Sequence, residues 1–597
     1  MQKRKTGLFC FLAVLSFSAY KTELGVAVSQ SICTARDFLH AVMQKFWKLS
    51  RKRISSRSRR EIRPLFKEAG KIVSLSAIKH QEAAHLASMY AEMDLLEAAF
   101  QVGEFYTKLL PKEYRSSHGI YFTPPSLTSR LLNNAESAGT DWAVSSVIDP
   151  ACGGGAFLAP VALRMKEVLR ANGCSPDKVV RHISRNLVGQ EIDPFSAWLS
   201  QVFVDLVLLD ECVQSNYKMP ILVRVTDSLI QPVSQTFDLV VGNPPYSKVK
   251  LNDDIRERFS RSIYGHVNLY GLFTDKALSL LKQGGILAYV TPTSFLAGQY
   301  FKNLRRLLSD ETVPICMDFI EARSGVFENV LQETLLTVFR KGLDPIQARS
   351  SSVIIAGNGF SHIVENGCFN IQRGKSAPWM IPRTRQQADI LENAVGNNAR
   401  LKDYGYKVST GPLVWNRHKD RIVERAQKNT LPLVWAESVM PDGSFQHKSE
   451  RRNHKPWFRI DDERDNWLIA KMPCLLLQRT TAKEQKSRLN AAELPESFIR
   501  KYGGVVIENH LNMVRPIENA AISLQTLAFI LRSRVVDQLF RAMNGSVAVS
   551  AYELEALPLP PIEKAKCIQG ALENRIDTNA VEQMIEDAYR EQFTQAA

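Results

Sequence analysis

The chain has 597 residues, too many for one hydrophobic core, and this length suggests three or four domains. Its 45% hydrophobic and 23% charged residues are those of a soluble globular protein. The 76 Lys and Arg against 61 Asp and Glu leave a net charge of +15, which points to a polyanionic partner but says nothing of fold. The nine cysteines are scattered without a CxxC pair, so neither a zinc site nor a disulfide framework is expected. A reducing compartment fits best.

The first segment, "MQKRKTGLFCFLAVLSFSAYK", has a basic start and an apolar run over 7–20 that resembles a secretory signal. The run is too short to span a bilayer comfortably. The rest of the chain reads as intracellular, so a non-native upstream start or a buried helix is the expected explanation. The protein is therefore expected in the cytoplasm, associated with the nucleoid, with no membrane partner.

Residues 1–98 read as helical and irregular. They include "KFWKLSRKRISSRSRREIRPLFK", with ten Lys or Arg and one acid, a composition usual for a solvated face or an arm. Over 99–345 apolar strands alternate with helical stretches, the pattern of an α/β parallel sheet. The expected strands are VSSVIDP, NLVGQEID, ILVRVTD, FDLVVGN, GILAYVTP, PICMDFIEA and ETLLTVFRK. "AFLAPVALRMKEVLRANG" between the first two carries helical periodicity. Residues 346–395, rich in Gly, Ser and Asn, read as a linker, and 396–597 as an α+β domain with Trp, Arg and Lys. There is no internal repeat.

Acids stand at three successive strand ends. "VIDPACGGGAFL" puts Asp149 at the end of a strand, followed by a turn of Gly153, Gly154 and Gly155. Glycines there let the backbone approach a ligand, and ligands sit at the carboxyl ends of strands in such sheets. "LVGQEIDP" ends the next strand with Glu191 and Asp193, and "VRVTDSL" the third with Asp227. Carboxylates suit ribose hydroxyls and an exocyclic amine while repelling phosphates, and there is no phosphate-binding P-loop. The ligand expected is a nucleoside without phosphates.

"FDLVVGNPPYSKV" runs a buried strand into Asn243, Pro244, Pro245 and Tyr246. Two prolines remove two backbone donors and fix two φ angles, so the strand ends in a rigid corner. An aromatic amine is a poor nucleophile because its lone pair is delocalised. The Asn243 amide oxygen and the Pro244 carbonyl can accept its two hydrogens and draw the nitrogen towards tetrahedral geometry, and preorganised acceptors lower the barrier. Tyr246 can stack on the base, as enzymes do with a flipped-out nucleotide.

With these residues in view, the sequence resembles the S-adenosylmethionine-dependent adenine-N6 DNA methyltransferases whose cofactor motifs come first and whose target-recognition domain is C-terminal. The resemblance is carried in order, over about 118–345, by "GIYFTPPSLTSRLL", "VIDPACGGGAFL", "LVGQEIDP", "TDSL", "FDLVVGNPPYSKV" and "VNLYGLFTDKALSLLKQGGILAYVTPTSFL". It implies a class I methyltransferase sheet with helices on both faces, and S-adenosylmethionine as cofactor. Tyr121, Thr123 and Pro124 would embrace the methionine part with Asp149, Ala151, Gly153 and Gly155. Glu191 would bind the ribose hydroxyls and Asp227 the cofactor adenine. Ser228 stands where a bulkier apolar residue would pack the cofactor ring, so Ile192 or Leu229 is expected to cover that face. Asn243, Pro244, Pro245 and Tyr246 would hold the target adenine. "SGVFENVLQETLLTVF" resembles the segment that supplies a second stacking aromatic, making Phe327 the candidate.

"LLLQRTTAKEQKSRL" and "GGVVIENHLNMVRP" resemble strand segments of a target-recognition domain, and "LAFILRSRVVDQLFRAMNGSVAVSAYELEALPLPP" its closing helix and loop. The implied partner is double-stranded DNA, with a cognate restriction endonuclease or specificity subunit as a further candidate. The implied function is methylation of adenine N6 in a specific DNA sequence, by base flipping, in a restriction–modification or related defence system. Cytosine-N4 methylation is the nearest rival, and Asn rather than Ser at position 243 favours adenine. Methylation of a glutamine amide in a protein is a second rival, against which the large basic C-terminal region counts.

Overall fold

The structure, a computed structural model, describes residues 26–590 apart from 55–57, 71–75, 121, 323–332, 343–346, 356–360, 395–398, 452, 483 and 518. The apolar run 7–20, Tyr121 and Phe327 lie outside the described residues. No helix among the described residues is long and apolar enough to cross a membrane.

All seven expected strands form: β1 (Val147–Asp149), β2 (Leu187–Glu191), β3 (Val223–Val225), β4 (Phe237–Gly242), β7 (Leu281–Pro292), β8 (Thr312–Ala322) and β9 (Thr334–Lys341). The short pair β5 (Lys248–Val249) and β6 (Val267–Asn268) stands apart from them as a two-stranded ladder. The seven lie in the order β3-β2-β1-β4-β7-β9-β8, with β9 inserted antiparallel between β7 and β8. β1 and β4 are apolar almost throughout because helices cover both faces of a parallel sheet, leaving no polar side. The helix expected after β1 spans Leu158–Ala171 and buries Leu158, Val161, Ala162, Met165 and Leu169.

Two further strands extend this sheet within the stretch expected as a linker. β10 (Ala348–Ile355) pairs parallel with β8, and β11 (Ser361–Phe369) pairs antiparallel with β10. Three serines in β10 obscure it in the sequence. All three are buried, and two are hydrogen-bonded through their side chains, Ser350 Oγ to Pro382 O at 2.5 Å and Ser352 Oγ to Glu321 Oε1 at 2.8 Å. Partnered hydroxyls let a polar-looking run occupy an interior strand.

The N-terminal helices Val26–Ile54, Ala77–Ala91 and Leu95–Leu109 share one core with the sheet: Phe38, Phe46 and Tyr106 join Val147, Leu187 and Trp198. Part of the basic stretch is an anchor. Arg60 donates to Cys212 O and Tyr217 O, each at 2.7 Å, and Arg63 Nε meets Asp205 Oδ2 at 2.8 Å.

Beyond residue 400 come two small sheets, one of β12 (Tyr406–Thr410), β17 (Cys474–Gln478), β18 (Ala491–Leu494) and β20 (Leu511–Pro516), in the order β12-β20-β17-β18. The other holds β13 (Ile422–Val423), β14 (Thr430–Val434), β15 (Trp457–Arg459), β16 (Ile469–Ala470) and β19 (Val505–Ile507). Helices from Leu524–Arg532 to Thr578–Arg590 complete this α+β part. The fully buried Arg305 ties it to the sheet, donating to Phe295 O and Gly298 O at 2.8 Å and to Tyr552 Oη at 2.9 Å.

Candidate active site

A cavity of about 220 Å³ opens at the carboxyl ends of β1, β2, β3 and β4. Of the residues expected at the site, Thr123, Asp149, Ala151, Gly153, Glu191, Ile192, Asp227, Asn243 and Pro245 line it. Gly155 packs behind it, where a Cβ would stand 2.9 Å from Ser200 Cα. Pro124 precedes the helix Pro125–Ser137 and accepts from Leu127 and Thr128 N–H, each at 3.0 Å. Pro244 and Tyr246 sit beside the cavity, at the corner.

Each acid is held by its own turn. Asp149 Oδ1 accepts from Ala151 N–H at 3.0 Å, while the buried Oδ2 has no hydrogen-bond partner. Glu191 accepts from Gly153 N–H through Oε2 and from Asp193 N–H through Oε1, both at 2.9 Å. Asp227 Oδ1 accepts from Leu229 N–H at 3.0 Å. Burial pushes Asp149 well above the usual carboxylate range and Glu191 up to about 7, the N–H donors to each opposing the shift. No Lys, Arg or His lines the cavity among the described residues. A lining of three carboxylates with no cation favours a ligand that is cationic and rich in donors, and disfavours phosphate. S-adenosylmethionine, with its sulfonium, ammonium, ribose hydroxyls and adenine amine, fits that lining.

The corner adjoins the acids directly. Gly242, at the end of β4 with φ +155°, passes so close to Asp149 that a Cβ would lie 2.6 Å from Oδ1. The next residue, Asn243, donates from Nδ2 to Thr123 Oγ1 at 3.1 Å, and its Oδ1 accepts from the Tyr246 hydroxyl at 2.6 Å. Tyr246 is half-buried, edge-on to Tyr270 with ring centroids 6.0 Å apart. Burial raises the Tyr246 pKa, so its hydroxyl stays a donor at neutral pH.

The cavity also has walls that the strand-end acids do not announce. Ile192 and Leu229 both line the cavity, with Phe273 and Leu269, as does Ser228, whose hydroxyl donates to Pro150 O at 2.5 Å. Phe122 fits between two glycines: a Cβ on Gly103 would lie 1.9 Å from its ring, and one on Gly154 2.4 Å. Gly103 was the available signal, since a glycine inside an amphipathic helix costs about 1 kcal/mol against alanine and marks a close approach.

Comparison with known proteins agrees with this geometry. Residues 186–327 match the Eco57I restriction-modification methylase family. The Type II methyltransferase M.BsuBI of Bacillus subtilis is 28% identical over 345 residues, covering 56% of this chain and 67% of the relative. The Type II methyltransferase M.PstI of Providencia stuartii is 26% identical over 369 residues, covering 60% and 71%. In fold, the Type IIL restriction-modification enzyme MmeI, solved in complex with DNA, superimposes with TM-score 0.56 at 14% identity, covering 94% of this chain and 88% of that one. A class I methyltransferase sheet, a cavity lined by acids and an adjoining Asn-Pro-Pro-Tyr corner thus agree with the match of residues 186–327 to the Eco57I restriction-modification methylase family and with S-adenosylmethionine as the cofactor.

Proposed function

We propose that the enzyme methylates N6 of adenine within a specific sequence of duplex DNA, with the target base extruded into the corner. The observation that carries this reading is the orientation of Asn243. Tyr246 donates to its oxygen and Thr123 accepts from its nitrogen, so Oδ1 and Nδ2 are distinguished. Oδ1 has a second lone pair with which to accept one amino hydrogen of the base, and Pro244 offers its carbonyl for the other. Two acceptors draw the amine nitrogen out of conjugation and free its lone pair, an effect realised mainly in the transition state. The cofactor supplies an electrophilic methyl group when bound, and the carboxylates favour its positive charge before transfer.

The role of each site residue follows. Glu191 holds the ribose hydroxyls, Asp227 the cofactor adenine, and Asp149 with the Gly153 turn the methionine end. Tyr246 stacks on the extruded base, with Phe327 as the second aromatic. We assign target recognition to 396–597, where two small sheets and Arg- and Lys-bearing loops offer side chains for base edges, since phosphate contacts alone carry no sequence information. Such an enzyme works in the cytoplasm on the nucleoid, alongside a cognate restriction endonuclease or specificity subunit.

The test is incubation of the purified chain with duplex DNA and methyl-labelled S-adenosylmethionine, followed by identification of the labelled nucleoside. N6-methyladenine supports the reading, and N4-methylcytosine moves it to the other exocyclic amine.

A further inference from the structure

The helices that precede the sheet have no part in the chemistry assigned so far, yet one of their side chains reaches the turn directly behind Glu191 in the cavity wall. Arg36, on the helix Val26–Ile54, places Nη2 2.5 Å from Asp193 Oδ2. The Asp193 side chain is fully buried, and that of Arg36 is 17% exposed. Tyr114 closes the contact, receiving a hydrogen bond from Arg36 Nη2 at 3.1 Å and donating to the same Asp193 oxygen at 3.0 Å. Arg36 Nε also donates to the Tyr106 hydroxyl at 3.3 Å.

Asp193 passes this restraint on. Its Oδ1 caps the helix Pro194–Val207 by accepting from Ser196 N–H at 2.8 Å, and its own N–H donates to Glu191 Oε1 at 2.9 Å. Glu191 is therefore gripped by two backbone donors, Gly153 from the glycine turn and Asp193 from the residue that Arg36 holds. Tyr114 opens the segment whose later residues, Ile120, Phe122 and Thr123, line the cavity. One guanidinium thus joins the N-terminal helix, the loop after β2 and the segment over the cavity.

Without Arg36, the buried Asp193 would face Glu191 with no cation beside it. An uncompensated buried carboxylate is costly, and the cheapest relief is for the loop to move Asp193 towards solvent. That movement takes a donor from Glu191. A second ion pair on the same helix provides the contrast. Arg63 bonds Asp205 at 2.8 Å, again from the N-terminal region, but Asp205 stands roughly 18 Å further along the helix.

We propose that Arg36 is a positioning residue for the cofactor, setting the Glu191 carboxylate through Asp193, so that the N-terminal helical region is a working part of the cofactor site. The proposal rests on the assignment of the cavity to S-adenosylmethionine, which calorimetric titration of the unaltered chain checks first. Arg36→Ala and Arg63→Ala are then compared in the full-length protein by cofactor titration, thermal melting and steady-state kinetics.

Arg36→Ala is expected to weaken cofactor binding by about tenfold or more and to raise the cofactor KM, leaving kcat at saturating cofactor and the DNA KM within about twofold. Arg63→Ala is expected to lower the melting temperature while leaving cofactor affinity unchanged. Unchanged affinity in Arg36→Ala, or an equal loss in both variants, would overturn the proposal. Should Arg36→Ala not fold, Tyr114→Phe decides the matter, since it removes one Asp193 donor and keeps the ion pair. About threefold weaker cofactor binding is expected there, and unchanged binding would overturn the proposal.

Discussion

The Tyr246 hydroxyl donates to Asn243 Oδ1 at 2.6 Å. A residue expected to stack on the target base therefore also fixes the amide expected to accept that base's amine. Thr123, expected only at the cofactor, completes the arrangement by accepting from Asn243 Nδ2.

Asn243→Ala should leave cofactor affinity within about twofold of the parent and lower kcat by about 100- to 1000-fold, the size of effect seen when one preorganised transition-state hydrogen bond is lost. Calorimetry and a labelled-methyl assay read the two quantities separately. Near-normal turnover would remove the amide from the chemistry.

Tyr246→Phe keeps the ring and loses only the hydroxyl, so activity should stay within about tenfold, the range of one ordinary hydrogen bond. Tyr246→Ala loses the ring, at about 1–3 kcal/mol if stacking holds the extruded base. That loss should be smaller on a duplex already mismatched at the target. Equal losses on both duplexes would speak against capture of a flipped base.

Glu191 gives a pH signature in the cofactor-free enzyme. Its folded pKa is raised from 4.5 to about 7, so the folded protein holds this proton more tightly than the unfolded chain does. The associated stability is fully present below pH 4.5 and is lost as pH rises through 7. Glu191→Gln cannot ionise, so its stability should fall less between pH 5 and pH 8, by up to about 3 kcal/mol. Asp149 is pushed up in both proteins chiefly by burial, and the smaller part due to the Glu191 charge goes with the substitution, so the difference between them reports Glu191 together with its coupling to Asp149. Parallel denaturation curves at both pH values would place Glu191 in an ordinary carboxylate environment.

Arg305→Ala should be destabilising, by about 3 kcal/mol, because a fully buried side chain is removed, the buried Phe295 carbonyl loses this donor, and the Gly298 and Ser376 carbonyls each keep only their second one, from Phe301 N–H and the Tyr552 hydroxyl. Thermal melting measures this. The same contact bears on domain exchange: replacing 396–597 by the equivalent region of a relative should move the methylated sequence and keep the methylated atom, provided that Tyr552 has a counterpart. An active chimera that keeps its original target would send recognition elsewhere.

The sheet was legible in the sequence where burial on both faces made strands uniformly apolar, as in the "VIDP" and "DLVVG" runs, and where acids closed them. β10 was not, because its serines meet their hydrogen-bond partners only in the folded chain. At the cavity, Asp149, Glu191, Asp227 and Asn243 could be placed because each stands at a strand end or within two residues of one. Arg36 could not. It lies 157 positions from Asp193, and beside it in the sequence stand Asp37 and an otherwise mostly uncharged stretch, so nothing pairs it with the β2 turn until the chain folds.

The most direct measurement is digestion of methylated duplex to nucleosides, with chromatographic and mass identification of the labelled product, for the parent and Asn243→Ala side by side. N6-methyladenine from the parent, confined to one sequence context and absent with Asn243→Ala, is the expected result. N4-methylcytosine, or label transferred to DNA equally well by both proteins, would contradict it.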